Sequence, residues 1–134
     1  MRYQRAELPL QLDGLAAART FFTGCLAEAD QRRETLWVAH VDGQSRCIHL
    51  AAYPGDEGGA DFPLREIIID VSQHGSEGLV LAHNHPSGDA RPSDSDKSAT
   101  RRLAMAADTL DCAVLDHLIL AGEQCVSLRQ MGLL

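Results

Sequence analysis

Two histidines close an apolar run: Gly78-Leu79-Val80-Leu81-Ala82 leads into His83-Asn84-His85. On a strand, residues i and i+2 point to one face, so both imidazoles can address one cation. A turn-rich loop, Pro86 to Pro92, separates them from Ser93-Asp94-Ser95-Asp96. With a helix starting at Ser93, Asp96 falls in its first turn, and the loop can return it to the histidines. Two neutral imidazoles and one carboxylate leave a fourth position open, which is the catalytic rather than the structural zinc pattern. Water there has its pKa lowered to roughly 7, which suits hydrolysis of an amide near neutral pH. The stretch Ser93 to Asp96 equally matches the S/T-x-x-[DE] capping box, which places a carboxylate near the helix dipole without any metal. Residue types alone leave both readings open. The tripeptide His-Asn-His does not itself indicate an HNH nuclease, whose name describes scattered residues. The PCxxC of a zinc deaminase is absent downstream.

A chain of 134 residues positions these groups within one domain. Its 45% hydrophobic and 23% charged composition is globular, and with only 4% aromatics the core must be aliphatic. The net charge of −7 disfavours broad nucleic-acid binding. Cys25, Cys47, Cys112 and Cys125 form no CxxC pair and read as small buried hydrophobes with reduced thiols. The first residues lack the apolar core of a leader, and no apolar run approaches the roughly 20 residues of a membrane span. The expectation is a cytoplasmic protein, not held in a membrane.

Residues 1–12 read as a loosely held extension and residues 13–134 as the domain. Asp13 is expected to cap a helix running to about Asp30, with Leu15, Ala18, Phe22 and Cys25 on one face. Thr35 to Asp42 reads as a strand, Asp42-Gly43 as a hairpin signal, and Arg46 to Tyr53 as the return strand. Asp61 is expected to cap a second helix that carries Leu64, Ile67, Ile68 and Val71. Its β-branched run also admits a strand, and the start signals favour the helix. Gly78–Ala82 reads as a buried strand, Ser93 to about Leu110 as a helix, and Ala113–Leu120 and Cys125–Leu128 as strands. This alternation predicts a sheet with helices packed against it.

The spacing His83-x-His85, seven residues, Ser93, two residues, Asp96 resembles the JAMM (MPN-plus) metalloprotease motif, HxH-x7-S-x2-D. The fuller string His83-Asn84-His85-Pro86-Ser87-Gly88-Asp89 with Pro92-Ser93 is similar to its RadC-like branch. Leu36 to Asp42, Arg65-Glu66, Leu115-Asp116-His117-Leu118-Ile119 and Gly132-Leu133-Leu134 are further echoes, so the resemblance covers residues 14–134. It implies an α/β fold of JAB/MPN type, a curved mixed β-sheet flanked by helices in a single domain. It implies Zn2+ held by His83, His85 and Asp96, with Ser93 steadying the oxyanion. Its catalytic glutamate lies at the start of the first strand, where this chain has Glu34; Glu28 and Glu66 are the alternatives. The activity implied is that of a zinc metallopeptidase or isopeptidase. A glutamate-activated water would cleave a peptide or isopeptide bond, removing a ubiquitin-like modifier or processing a protein tail that enters along a sheet edge.

Longer RadC-like proteins carry an N-terminal helix-hairpin-helix region for which this chain has no room, and Ala90 replaces the usual proline; neither touches a ligand position. Two rival readings remain: a DNA-repair accessory, and a metal-stabilised interaction module without turnover. Oligomeric state is left open. His40, His49 and His74 read as surface or satisfied polar groups. Asp116-His117 reads first as a structural hydrogen-bonding pair and second as support for the metal ligands. Lys97, Arg101 and Arg102 read as a solvated helix face, and Trp37 as core or edge packing.

Overall fold

Seven consecutive residues, Gly78–Asn84, are buried along one strand. Burial on both faces means that this strand is central and that both sides of the sheet are covered. A computed structural model of the chain describes residues 10–55 and 62–134. Its elements run α1 (Leu15–Ala27), β1 (Thr35–Val41), β2 (Cys47–Pro54), α2 (Leu64–His74), β3 (Gly78–Asn84), α3 (Asp94–Asp108), β4 (Ala113–Ala121) and β5 (Gln124–Ser127). The five strands form one sheet in the order β2-β1-β3-β4-β5. β3 and β4 pair in parallel and every other neighbouring pair is antiparallel, so the sheet is mixed. A parallel pair needs a crossover, and α3 supplies it.

Alternation along β1 sorts the core into two layers. Trp37, Ala39 and Val41 face Phe22 and Cys25 of α1. Val38, with Leu79 and Leu81 of β3, packs under Ile67 and Val71 of α2 and Leu103 of α3. The expected α/β architecture is thus present as one sheet between helical layers. Trp37 belongs to the core, at 1% exposure. No disulfide joins the four cysteines, and Cys25, Cys47 and Cys112 are buried.

Several boundaries differ from expectation. Asp13 does not cap α1. Gly14 holds that position at φ 94° with no side-chain cap, and the helix ends at Ala27 rather than near Asp30. Asp30 instead accepts from the Arg32 backbone N–H, a local turn that competes with helix continuation. The reading of Asp61 as a cap falls outside the described residues; α2 itself is helical, as its start signals favoured. In the β1–β2 hairpin the positive φ falls on Ser45, at 62°, not on Gly43. Asp42 accepts from the backbone N–H of both Gln44 and Arg46 and so shapes a longer turn. Residues 10–12 of the expected extension are tied down: Leu12 donates to Ser45, Leu10 accepts from Cys47, and Leu12 is 3% exposed.

Gly78 starts the strand that carries the histidines. A Cβ there would lie 2.9 Å from both Leu115 Cδ1 and Val41 Cγ2, inside contact distance. The Gly78→Ala variant is therefore expected to unfold about 1–3 kcal/mol more easily in a urea titration. An unchanged midpoint would show that β1 and β4 yield without cost.

Candidate metal centre

The strand end and the helix start meet as their spacing demands. His83 is the penultimate residue of β3, and Ser93 is the N-cap of α3 with Asp96 at N3. Asp96 N–H donates to Ser93 Oγ at 2.9 Å, and Ser93 N–H donates to Asp96 Oδ2 at 2.9 Å. The capping box is real, and it does not exclude the other reading. The same carboxylate lies 3.4 Å from His83 Nε2 and 3.2 Å from His85 Nε2. Glu34 Oε1 approaches His83 Nε2 at 3.6 Å, with its side chain 54% exposed. One donor atom from each of Glu34, His83, His85 and Asp96 thus falls within a single 4.8 Å cluster.

The hydrogen bonds fix which ring nitrogens face inward. His85 Nδ1 lies 2.8 Å from the Asp89 carbonyl, which can only accept, so Nδ1 carries hydrogen and Nε2 presents a lone pair. A longer relay does the same for His83. Thr100 Oγ1 donates to the Asp96 carbonyl at 2.8 Å, so it accepts from His117 Nδ1 at 2.6 Å. His117 Nε2 then accepts from His83 Nδ1 at 2.7 Å, which leaves the lone pair of His83 on Nε2. The two Nε2 atoms stand 2.9 Å apart. Neutral rings held this way point two lone pairs at each other beside two carboxylates, a repulsive arrangement that a cation relieves. Donors around a tetrahedral ion at roughly 2.0–2.1 Å sit roughly 3.3 Å from one another. The separations of 2.9, 3.2, 3.4 and 3.6 Å fall around that value, so the residues present fit zinc.

Charge in the site follows from burial and contact. Burial opposes the Asp96 carboxylate, yet in the metal-free site a proton on His83 Nε2, by hydrogen bond and by charge, and then Ser93 hold its carboxyl well below the usual range. Burial above all, with the charge of His83 and to a lesser degree His85 wherever those rings take a proton, pushes His117 down to about 3. His117 is therefore the neutral relay that the tautomer chain requires. Asp116 takes the structural role, accepting from its neighbour's backbone, from Ser127 Oγ and from Arg129 N–H. The expected Asp-His pair thus divides: the aspartate holds the sheet, and the histidine reaches a candidate ligand.

Sequence reasoning missed Asn84. This buried side chain accepts from Thr35 N–H at 2.8 Å and donates to the Arg33 carbonyl at 2.9 Å. It grips the chain on both sides of Glu34. Gly55 N–H adds a bond to the Glu34 carbonyl itself at 2.7 Å. The alternative glutamates lie elsewhere. Glu28 is the C-cap of α1, and Glu66 lines a cleft with Tyr53 and Asp70. Lys97, Arg101 and Arg102 are on α3, the arginines exposed as expected of a solvated face. Ala90 is buried with Ile119, Ala121 and Leu128, so its lost proline ring leaves the donor set untouched.

Two outcomes follow. Asn84→Ala strands the buried Thr35 N–H and frees the part-buried Arg33 carbonyl, and is expected to cost about 1–3 kcal/mol in denaturant unfolding; an unchanged midpoint would mean that solvent reaches both. In the metal-free chain, native His117 stays neutral while the unfolded chain gains a proton below pH 6.5. Stability is then complete above that pH and declines as pH falls toward 3, and Asp96 adds loss in the same direction below 3.8. Urea midpoints measured from pH 8 to pH 4 in chelator check the slope, and a flat profile contradicts it.

The family model described as RadC-like JAB domain matches residues 14–133. A UPF0758 protein of Pseudoalteromonas translucida is 36% identical over 105 residues, 77% of this chain and 46% of that protein. One of Vibrio atlanticus is 35% identical over 104 residues, with the same coverages of 77% and 46%. UPF0758 protein YfjY of Escherichia coli is 36% identical over 110 residues, 81% of this chain and 69% of its own length. The chain thus spans about half the length of the first two relatives. No described helix is long and apolar enough to cross a membrane. With its mixed five-stranded sheet and its match across almost the whole length, the chain belongs to the RadC-like JAB domain family.

Proposed function

We propose that this domain is a zinc-dependent hydrolase of peptide or isopeptide bonds. One observation carries the reading: a buried relay at His83 and one carbonyl at His85 turn both Nε2 atoms toward each other beside Asp96, with Glu34 within the same cluster. His83, His85 and Asp96 would hold the metal. Zinc in that place supplies a Lewis acid and lowers the pKa of coordinated water to about 7. Glu34, half exposed and held at its backbone, takes the proton of the attacking water and returns it to the leaving amine. Ser93 Oγ already accepts from Asp96 N–H, so its own hydrogen is available to the oxyanion that develops on the carbonyl.

The substrate of this reading is an extended protein tail, such as that of a ubiquitin-like modifier joined to lysine. The two edges of the sheet are β2 and β5. The end of β2 lies beside the catalytic end of β1, with Pro54 opposite Thr35, which favours β2 as the edge where a tail adds as a strand. The setting proposed is the cytoplasm, and the acidic balance of the chain disfavours a nucleic-acid partner.

The test is a panel of peptide and ubiquitin-like fusions incubated with the zinc-loaded chain. His83→Ala is expected to lose zinc and cleavage together. Glu34→Gln is expected to keep zinc and lose cleavage by roughly 10²- to 10⁴-fold, the usual worth of a general base. Cleavage surviving in Glu34→Gln would remove the proposed base. Stoichiometric zinc with no turnover of any fusion would favour a metal-stabilised interaction module.

A further inference from the structure

A second group of donors lies at the other end of β1. His40 and His49 stand directly opposite each other in the β1–β2 ladder, and Asp70 of α2 covers them. One donor atom from each of the three lies within 4.8 Å of the others. His49 Nε2 is 3.5 Å from Asp70 Oδ2, and the Tyr53 hydroxyl donates to that same oxygen at 3.4 Å. The histidine rings are 5.1 Å apart, and His74, one turn beyond Asp70, stacks on His49 at 4.0 Å. These residues were expected to be surface or satisfied polar groups. His74 is exposed, but His40 is at 0% exposure, and its Nε2 is a buried nitrogen without a hydrogen-bond partner among the described residues.

That orphan atom is the informative one. Buried polar groups are nearly always bonded, and an exception calls for an absent partner. The other nitrogen of His40 is engaged, with Nδ1 2.7 Å from Ser76 Oγ. A ligating imidazole is held in the same manner, one nitrogen on an oxygen and the other on the metal. We propose that His40, His49 and Asp70 form a second divalent-metal site, separate from the His83 cluster. Imidazole with carboxylate selects a late first-row cation of the zinc class. Three protein donors leave a position toward the cleft of about 280 Å³ that His49, Tyr53, Glu66 and Asp70 line. His40 lies six residues beyond Glu34, about 20 Å along a strand, so the two sites bind independently. The ion would tie both strands of the hairpin to α2.

The experiment removes the first site and counts what remains. The chain carrying His83→Ala and Asp96→Ala is stripped with chelator, dialysed against zinc, and assayed for bound metal and thermal unfolding. One equivalent of zinc and a higher unfolding temperature are expected. Adding His49→Ala or Asp70→Asn, at partly exposed positions that leave the buried His40 in place, is expected to abolish both, with circular dichroism reporting that the fold is kept. No zinc in the His83→Ala/Asp96→Ala chain overturns the proposal. So does an equivalent that survives both added substitutions. Because the hydrolytic site is already disabled in these chains, neither outcome depends on whether the domain cleaves anything.

Discussion

The arrangement rests on two lone pairs that the protein will not let apart. His83 Nε2 and His85 Nε2 face each other at 2.9 Å because each ring's opposite nitrogen is committed elsewhere. For His85 the commitment is one carbonyl, that of Asp89. For His83 it is a chain through His117 and Thr100 to the carbonyl of Asp96. The His83 ring cannot turn without leaving a buried group unmet, which is costly where water is excluded, and the half-buried His85 would give up its bond to Asp89. A cation held there would relieve that repulsion, and the four candidate donors are already gathered for one.

Much of the tertiary structure can be read as support for that relay. β3 must be central, since His83 needs β4 on one side to bring His117 within reach and β1 on the other to bring Glu34. Its register does both: His83 pairs with Leu36 of β1 and with Ile119 of β4. α3 then has two duties. Its N-terminus delivers Asp96, and one turn later Thr100 anchors the far end of the relay. The crossover that a parallel pair requires is therefore also the element that completes the site.

What the sequence could disclose divides along physical lines. Helical periodicity, β-branched and apolar runs, and turn and start signals located the strands and helices, and the spacing from His83 to Asp96 brought out the donor set, because such signals are local or nearly so. Glu34 needed the family resemblance to be singled out. Long-range side-chain partners stayed hidden. Asn84 looks like filler between two histidines, and its grip on residues 33 and 35 depends on the β1–β3 register. Thr100 is one helix residue among fifteen until His117 is placed beside it. His40 misled for the same reason. Its alternation with apolar neighbours is compatible with either face, and only α2 packed above it reveals a fully buried ring. Caps failed at Asp13 because glycine at positive φ satisfies the chain turn without a side chain.

Asp96 shows why two competing readings of one motif can both hold. A capping box needs the N3 carboxylate to turn back on its own helix, and a metal ligand needs it to face outward. One carboxylate has two oxygens with about four acceptor sites. Oδ2 takes the Ser93 backbone N–H and still lies 3.2 Å from His85, while Oδ1 addresses His83. The cap thereby fixes the rotamer that a ligand role would require, and it holds the Ser93 hydroxyl oxygen on the Asp96 N–H beside the same carboxylate. A serine and an aspartate three residues apart at a helix start are thus sufficient to place a candidate ligand and a hydroxyl together. That is a physical reason for the two types to occur at that spacing after the pair of histidines.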